Sequence, residues 1–113
     1  TEAVKNYLIP VCNYREDLRW LPYAEEADLL NVALFGFTAK AWRKANPELA
    51  KNSNIRDYAS INELTVLSNL ESNAQMIREG RSKEERFMIL KEIAEYQIKI
   101  LNEAQNISIG TDI

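Results

Sequence analysis

The spacing of apolar residues along the chain predicts helices almost throughout. Apolar side chains recur three or four positions apart over long stretches, which is the spacing of one face of an α-helix. The signal is strongest over residues 25–35, where acidic residues precede an almost unbroken apolar run and Gly36 follows it. Negative charge suits the start of a helix and glycine suits its end. We therefore predict a central, largely buried helix over 25–35.

A second helix is predicted over residues 39–45, directly after Gly36. Thr38 is a favourable N-cap residue, and Asn46 with Pro47 ends the helix and suits the start of one further turn. One face of this helix carries Ala39, Trp42 and Ala45. The first two predicted helices therefore meet in a corner at the glycine.

Two longer helices are predicted after residue 60, each opened by a capping box. Ser60 is followed by Glu63, and Ser82 by Glu85, at the spacing that lets both side chains bond to backbone amides. A turn of about two to three residues then makes the pair an antiparallel hairpin. The predicted core-facing stripe of the first helix is Ile61, Leu64, Leu67, Leu70, Ala74 and Ile77. That of the second is Phe87, Leu90, Ala94, Ile98 and Leu101.

The flanking segments carry weaker patterns. Residues 1–8 have the spacing of a helix end. We expect residues 10–23 to be irregular, with Trp20, Leu21 and Tyr23 in a short extended segment that places aromatic side chains on the core. The prediction is thus an all-α fold of about five helices.

The predicted domain is a single helical unit over residues 1–104, and residues 105–113 are expected to form a frayed tail. The sequence has no initiator Met and opens in residues typical of the middle of a helix. We therefore expect it to be a piece of a longer protein that lacks an N-terminal part.

Composition restricts the chemistry that the chain can support. It has 113 residues, no His, one Cys, and 17 acidic against 14 basic residues, for a net charge of −3. The absence of His excludes His-activated nucleophiles and His-ligated zinc, and a lone Cys12 excludes an intrachain disulfide. The sequence has no apolar run long enough to span a membrane, and its first residues lead us to expect no signal sequence. We expect a cytoplasmic protein that is not an enzyme and binds no metal or cofactor.

The basic residues are concentrated in one place. Residues 38–57 hold five basic and two acidic side chains, whereas the segments before and after each sum to −3. Two helices joined by a short turn with glycine resemble a helix-turn-helix DNA reader. On that interpretation segment 25–45 contacts DNA, and the candidate DNA-binding residues are Lys40, Arg43, Lys44, Lys51 and Arg56. The alternative is an ordinary corner of a helical core.

Several polar residues lie within otherwise apolar helices or next to a cap, namely Asn31, Asp57, Asn69 and Glu71. Such a cluster either marks a site or consists of bonded structural groups. We interpret these four as structural. On this interpretation Asp57 lies at the N-terminus of the helix after residue 60, and Arg56 bonds to carbonyls or to a carboxylate such as Glu71.

The last helix carries more apolar residues than one core-facing stripe needs. The additional ones are predicted to form an interface with a second chain, most simply in a homodimer. These candidate interface residues are Met88, Ile89, Tyr96 and Ile100.

Five strings of the sequence resemble the C-terminal region of bacterial KilA-N domain proteins. They are YAEEADLLNVALFG at 23–36, TAKAWR at 38–43, ANP at 45–47, NIRDYAS at 54–60 and LSNLES at 67–72. The resemblance continues more loosely to about residue 101, and residues 10–22 depart from it.

The resemblance implies a phage- or prophage-type regulator. Its DNA-binding KilA-N module would lie upstream of this chain, so none of that module's residues can be assigned here. The expected function is that of a non-catalytic accessory or oligomerisation domain, and the alternative is direct DNA contact through segment 25–45.

Overall fold

The computed structural model describes the backbone of residues 7–111 and the side chains of residues 7–104. Within this range there is no β-strand, and the predicted all-α fold is confirmed. Most of the segment expected to be a helix end, residues 1–8, lies outside the described residues. The five α-helices are α1 (Glu26–Phe35), α2 (Ala39–Ala45), α3 (Pro47–Ala50), α4 (Ile61–Arg78) and α5 (Lys83–Thr111). Two 3-10 helices, Leu18–Tyr23 and Ile55–Tyr58, lie before α1 and before α4.

Helix α1 is central because it is apolar on nearly all sides. Six consecutive residues, 29–34, are buried, and Asn31 is among them. The carboxylate of Asp28 accepts a hydrogen bond from the backbone amide of Glu25 at 3.0 Å, which satisfies a free donor at the start of the helix. At the other end Gly36 adopts a left-handed conformation with φ 93°, and its amide donates to the carbonyl of Val32.

Helices α4 and α5 run in opposite directions and both pack on α1. Asn62 donates to Asn102 at 2.8 Å and Asn69 donates to Gln97 at 3.1 Å, so residue numbers rise along one helix as they fall along the other. The turn between them contains Gly80 at φ 70°. The main core lies between these three helices and includes Leu29, Val32, Val66, Leu67, Leu70, Phe87, Leu90 and Ala94.

The predicted core stripe of α4 is wrong in its first two turns. Ile61 is 72% exposed and Leu64 is 41% exposed, whereas Val66 is fully buried. Leu64 lies three residues before Leu67, and Val66 lies four residues before Leu70, and both spacings occur on one face of a helix. Apolar spacing alone therefore does not say which of the two residues continues the core-facing row towards the N-terminus. The neighbours decide the choice, because α1 and α5 cover the side of α4 that carries Val66.

A second, smaller core lies around α2, α3 and the second 3-10 helix. It consists of Phe37, Trp42 and Ile55, with aromatic side chains packed around them. The ring of Tyr7 meets the rings of Phe37, Trp42 and Tyr58 edge-on, with centroids 6.2, 6.0 and 5.9 Å away. Edge-to-face contacts of this kind are favourable because the positive ring edge meets the negative ring face.

The segment before α1 also differs from its prediction. Leu18–Tyr23 is a 3-10 helix capped by Asp17, rather than an extended segment. Leu21 is buried, but Tyr23 is 88% exposed and does not contribute aromatic bulk to the core. Trp20 does place aromatic bulk on the core, since its ring is half-buried and meets that of Phe87 edge-on with centroids 5.3 Å apart.

Helix α5 extends beyond its predicted end. The apolar pattern predicts an end at about residue 104, whereas the helix continues to Thr111. Among the described residues, no helix combines the length and the apolar character that crossing a bilayer requires.

Candidate functional site

The outer face of α2 presents three basic side chains. Lys40, Arg43 and Lys44 are exposed, and none of them forms an ion pair within the part of the chain that the structure describes. The opposite face is anchored by Trp42, which is fully buried. The hydroxyl of Thr38 accepts from the amide of Ala41 at 3.0 Å and fixes the start of the helix. The short helix is thus held with its positive charge facing outward.

A cleft of about 390 Å³ lies between α2 and the first 3-10 helix. Lys40 and Lys44 line one side of it, and Tyr23 and the half-buried Trp20 line the other. Asp28 contributes one negative charge, but its carboxylate is engaged at the start of α1. Ammonium groups beside an exposed aromatic ring suit a ligand with phosphates and a flat base.

Burial raises the pKa of the Tyr14 phenol, which also lines this cleft, above its ordinary value. Three hydrogen bonds from the Arg19 guanidinium to the Asp17 carboxylate, at 2.9, 3.0 and 2.5 Å, and one from the Arg19 backbone amide at 3.3 Å lower the pKa of that carboxyl. Both groups therefore hold one protonation state at neutral pH, with Tyr14 neutral and Asp17 ionised.

The other two candidate cations are held in ion pairs. The ammonium of Lys51 lies 3.1 Å from Glu48, and the guanidinium of Arg56 lies 3.2 Å from Glu71. Glu71 is thus the carboxylate that Arg56 meets. Since both positive charges are partly neutralised, the three cations of α2 are the ones among the five candidates that have no counter-charge in the part of the chain that the structure describes.

The structure places three of the four polar residues outside the core. Asp57 accepts from the amide of Asn54 at 2.8 Å and belongs to the capping box of the second 3-10 helix, not to the start of α4. Asn69 and Glu71 are exposed and do not lie in the core, and Asn69 bonds to Gln97 across the hairpin. Of the four residues, only Asn31 is buried.

An ion cluster that the sequence did not indicate joins three helices. Glu26, at the start of α1, forms an ion pair with Arg86 of α5, and its second oxygen lies 4.0 Å from Arg78 of α4. The Arg86 side chain is only 10% exposed. Nearby, the ammonium of Lys83 donates to the carbonyl of Ala24 at 2.7 Å. These contacts fix one end of the three-helix unit.

Two further polar side chains tie the chain's loops to helix ends. Arg15 donates to the carbonyls of Ala33 and Leu34 at 3.3 and 3.0 Å, where the helix dipole of α1 favours a positive charge. The buried amide of Asn46 donates to the carbonyl of Leu8 at 2.8 Å and accepts from its amide at 2.6 Å. Both residues are therefore structural.

An apolar strip runs along the outward side of α5. We define the α5 outer strip as Ile89, Ile93, Tyr96 and Ile100, which are spaced four, three and four residues apart. The first two are half-buried against the main core, whereas Tyr96 is 66% exposed and Ile100 is 42% exposed. Met88, the remaining candidate interface residue, is exposed beside it. Three of the four candidate interface residues thus lie on one continuous strip, and sequence reasoning missed Ile93.

Metal binding and similarity to known proteins add no further site. No group of three or more acidic or cysteine side chains is placed to hold a metal ion in the described range. Comparison with known proteins found no matching family model, no matching curated protein and no matching solved structure.

Proposed function

We propose that this chain is a non-catalytic accessory domain that self-associates through the α5 outer strip. The strip itself is the observation that carries the proposal. Exposed apolar residues that are scattered singly over a surface are ordinary, but a continuous row on one helix face is typical of a protein interface. Helix α5 also packs on both α1 and α4, so that the strip is presented by a rigid element.

The resemblance to the C-terminal region of KilA-N proteins supplies a setting for this role. On this proposal the chain is the C-terminal part of a cytoplasmic regulator of phage or prophage type, and a module upstream of it reads the DNA. A dimer of that regulator places two modules on two half-sites of one operator. Self-association therefore increases the affinity for paired sites without any DNA contact by this chain.

The test is to remove apolar surface from the strip and to compare it with equal removal elsewhere. A Tyr96→Ser/Ile100→Ser variant is expected to weaken self-association by on the order of 100-fold, because each side chain buries apolar area in both copies. The measurement is sedimentation velocity over a range of protein concentrations, with circular dichroism as a check on folding.

The matched control is an Ile61→Ser/Met76→Ser variant. Both side chains are exposed on α4, at 72% and 68%, and neither belongs to the strip. The control is expected to change the dissociation constant by less than about twofold. An equal loss of association in the strip variant and in this control would contradict the proposal.

A second candidate function is direct DNA contact through α2. It is favoured by the three exposed cations of that helix and by the exposed ring of Tyr23 across the cleft. Lysine and arginine on one helix face suit phosphates, and each phosphate contact makes binding more dependent on salt.

The salt slope is the change in the logarithm of the DNA-binding constant with the logarithm of the salt concentration. For a Lys40→Gln/Arg43→Gln/Lys44→Gln variant, this candidate function predicts a slope that is smaller in magnitude by about one for each lost phosphate contact. The control is Lys51→Gln, since Lys51 is paired with Glu48 and its removal is expected to leave the slope unchanged. Titration of the unaltered chain at two salt concentrations decides the matter first, because no binding at low salt would eliminate this candidate.

A further inference from the structure

The charges that flank the α5 outer strip differ in sign along the helix. Glu92 immediately precedes Ile93, and Lys99 immediately precedes Ile100, so both occupy the same position relative to the strip. Glu92 and Lys99 are exposed, and neither forms an ion pair with another of the described side chains. Spacings that alternate between four and three residues, as they do along the strip, are those of a coiled-coil seam, in which such flanking residues set the partner and its orientation.

We infer that the occupant of the strip is a second copy of this chain, with the two α5 helices antiparallel. This inference rests on the proposed self-association and adds its orientation and register. In that arrangement Ile89 lies opposite Ile100 of the second copy, and Ile93 lies opposite Tyr96 of the second copy. The two-fold symmetry of a homodimer repeats each pair, which is what an isologous interface requires.

The antiparallel register pairs opposite charges. In an antiparallel pair of helices, the residues that immediately precede Ile93 and Ile100 lie on the same side of the contact and face one another. Glu92 therefore faces Lys99 of the second copy. The symmetry axis produces this pair twice. Both ion pairs lie at the rim of the seam, where they contribute more to orientation than to affinity.

A parallel arrangement makes no such pair and adds a repulsion. Glu92 would face Gln97, and Lys99 would face Ala104. Glu103 is exposed and lies three residues after Ile100, where it continues the line of the strip. In a parallel pair it would lie against Glu103 of the second copy. Like charges at a helix interface are destabilising. Charge complementarity therefore selects the antiparallel dimer.

The experiment is a charge-swap cycle read by sedimentation velocity. E92K and K99E each place like charges at both rim pairs and are expected to weaken the dimer roughly tenfold. The double variant E92K/K99E restores both pairs with reversed polarity and is expected to return to within about twofold of the unaltered chain. E95K is the control, because Glu95 is exposed on α5 away from the seam and carries the same change of charge.

The outcomes separate this inference from the proposed function. A dimer whose double variant is no stronger than the single variants would overturn the antiparallel register, while self-association would stand. A chain that stays monomeric at every concentration would overturn both.

Discussion

Replacing Trp42 with alanine is expected to lower the free energy of unfolding by about 4 kcal/mol. The side chain is fully buried and forms the centre of the smaller core. Its ring lies about 6 Å from those of Tyr7 and Tyr58, so its removal leaves a large cavity and loses an edge-on contact with Tyr7 and a tilted one with Tyr58. A loss of this size is a large part of the stability of a domain of this length. Urea unfolding followed by circular dichroism measures it.

Trp42→Phe is the matched control for this prediction. The indole nitrogen of Trp42 is buried and has no hydrogen-bond partner within the described range. Phenylalanine therefore keeps an aromatic ring without breaking a hydrogen bond, and the expected loss is about 1–2 kcal/mol. If phenylalanine cost as much as alanine, the packing of this core would not be the source of the stability.

Replacing Glu26 with alanine is expected to lower the free energy of unfolding by about 2 kcal/mol. The change leaves the guanidinium of Arg86, which is only 10% exposed, without its counter-charge. Breaking a fully buried ion pair costs about 3–5 kcal/mol. The loss is smaller here because the Glu26 side chain is 44% exposed and water therefore reaches the pair.

A double-mutant cycle with Arg86→Met separates the ion pair from other effects of the substitution. Methionine fills part of the volume without a charge, so Glu26→Ala/Arg86→Met is expected to be more stable than the sum of the single losses by about 1–2 kcal/mol. The control is Arg78→Met, since Arg78 is half-exposed and 4.0 Å from Glu26. It is expected to cost less than about 0.5 kcal/mol. If the loss of stability in the double variant equalled the sum of the two single losses, the ion pair between Glu26 and Arg86 would not stabilise the fold.

The parts of the fold that could be predicted are those that depend on near neighbours in the sequence. The two residues of the capping box, Ser60 and Glu63, are three positions apart, and α4 begins at the residue after Ser60. Gly36 follows the apolar run of α1 and adopts the left-handed conformation that a helix end favours. These features arise from backbone geometry and adjacent side chains, so a single sequence contains the information that determines them.

The parts that could not be predicted depend on packing between distant residues. Arg86 meets Glu26 across 60 positions and Asn46 meets Leu8 across 38, and no local spacing indicates either contact. Apolar periodicity gave the face of α4 correctly at Leu67 and Leu70 but not at Ile61, because the neighbours of its first turn are set by how α4 crosses α1 and α5.

The structure also changed which residues belong to each candidate site. Sequence clustering grouped five cations, but Lys51 and Arg56 are each paired with a carboxylate, and only the three cations of α2 project freely. On α5, sequence reasoning found the surplus of apolar residues. Only the exposure of the side chains distinguished the strip from the core-facing row, because Tyr96 and Ile100 are exposed whereas Leu90 and Ala94 of the same helix are buried.

Self-association of the unaltered chain tests the central claim most directly. Sedimentation equilibrium over protein concentrations up to about 1 mM covers even a weak dimer. We predict an average mass that rises with concentration from 13.0 kDa towards twice that value. A mass that stays at 13.0 kDa throughout would contradict it.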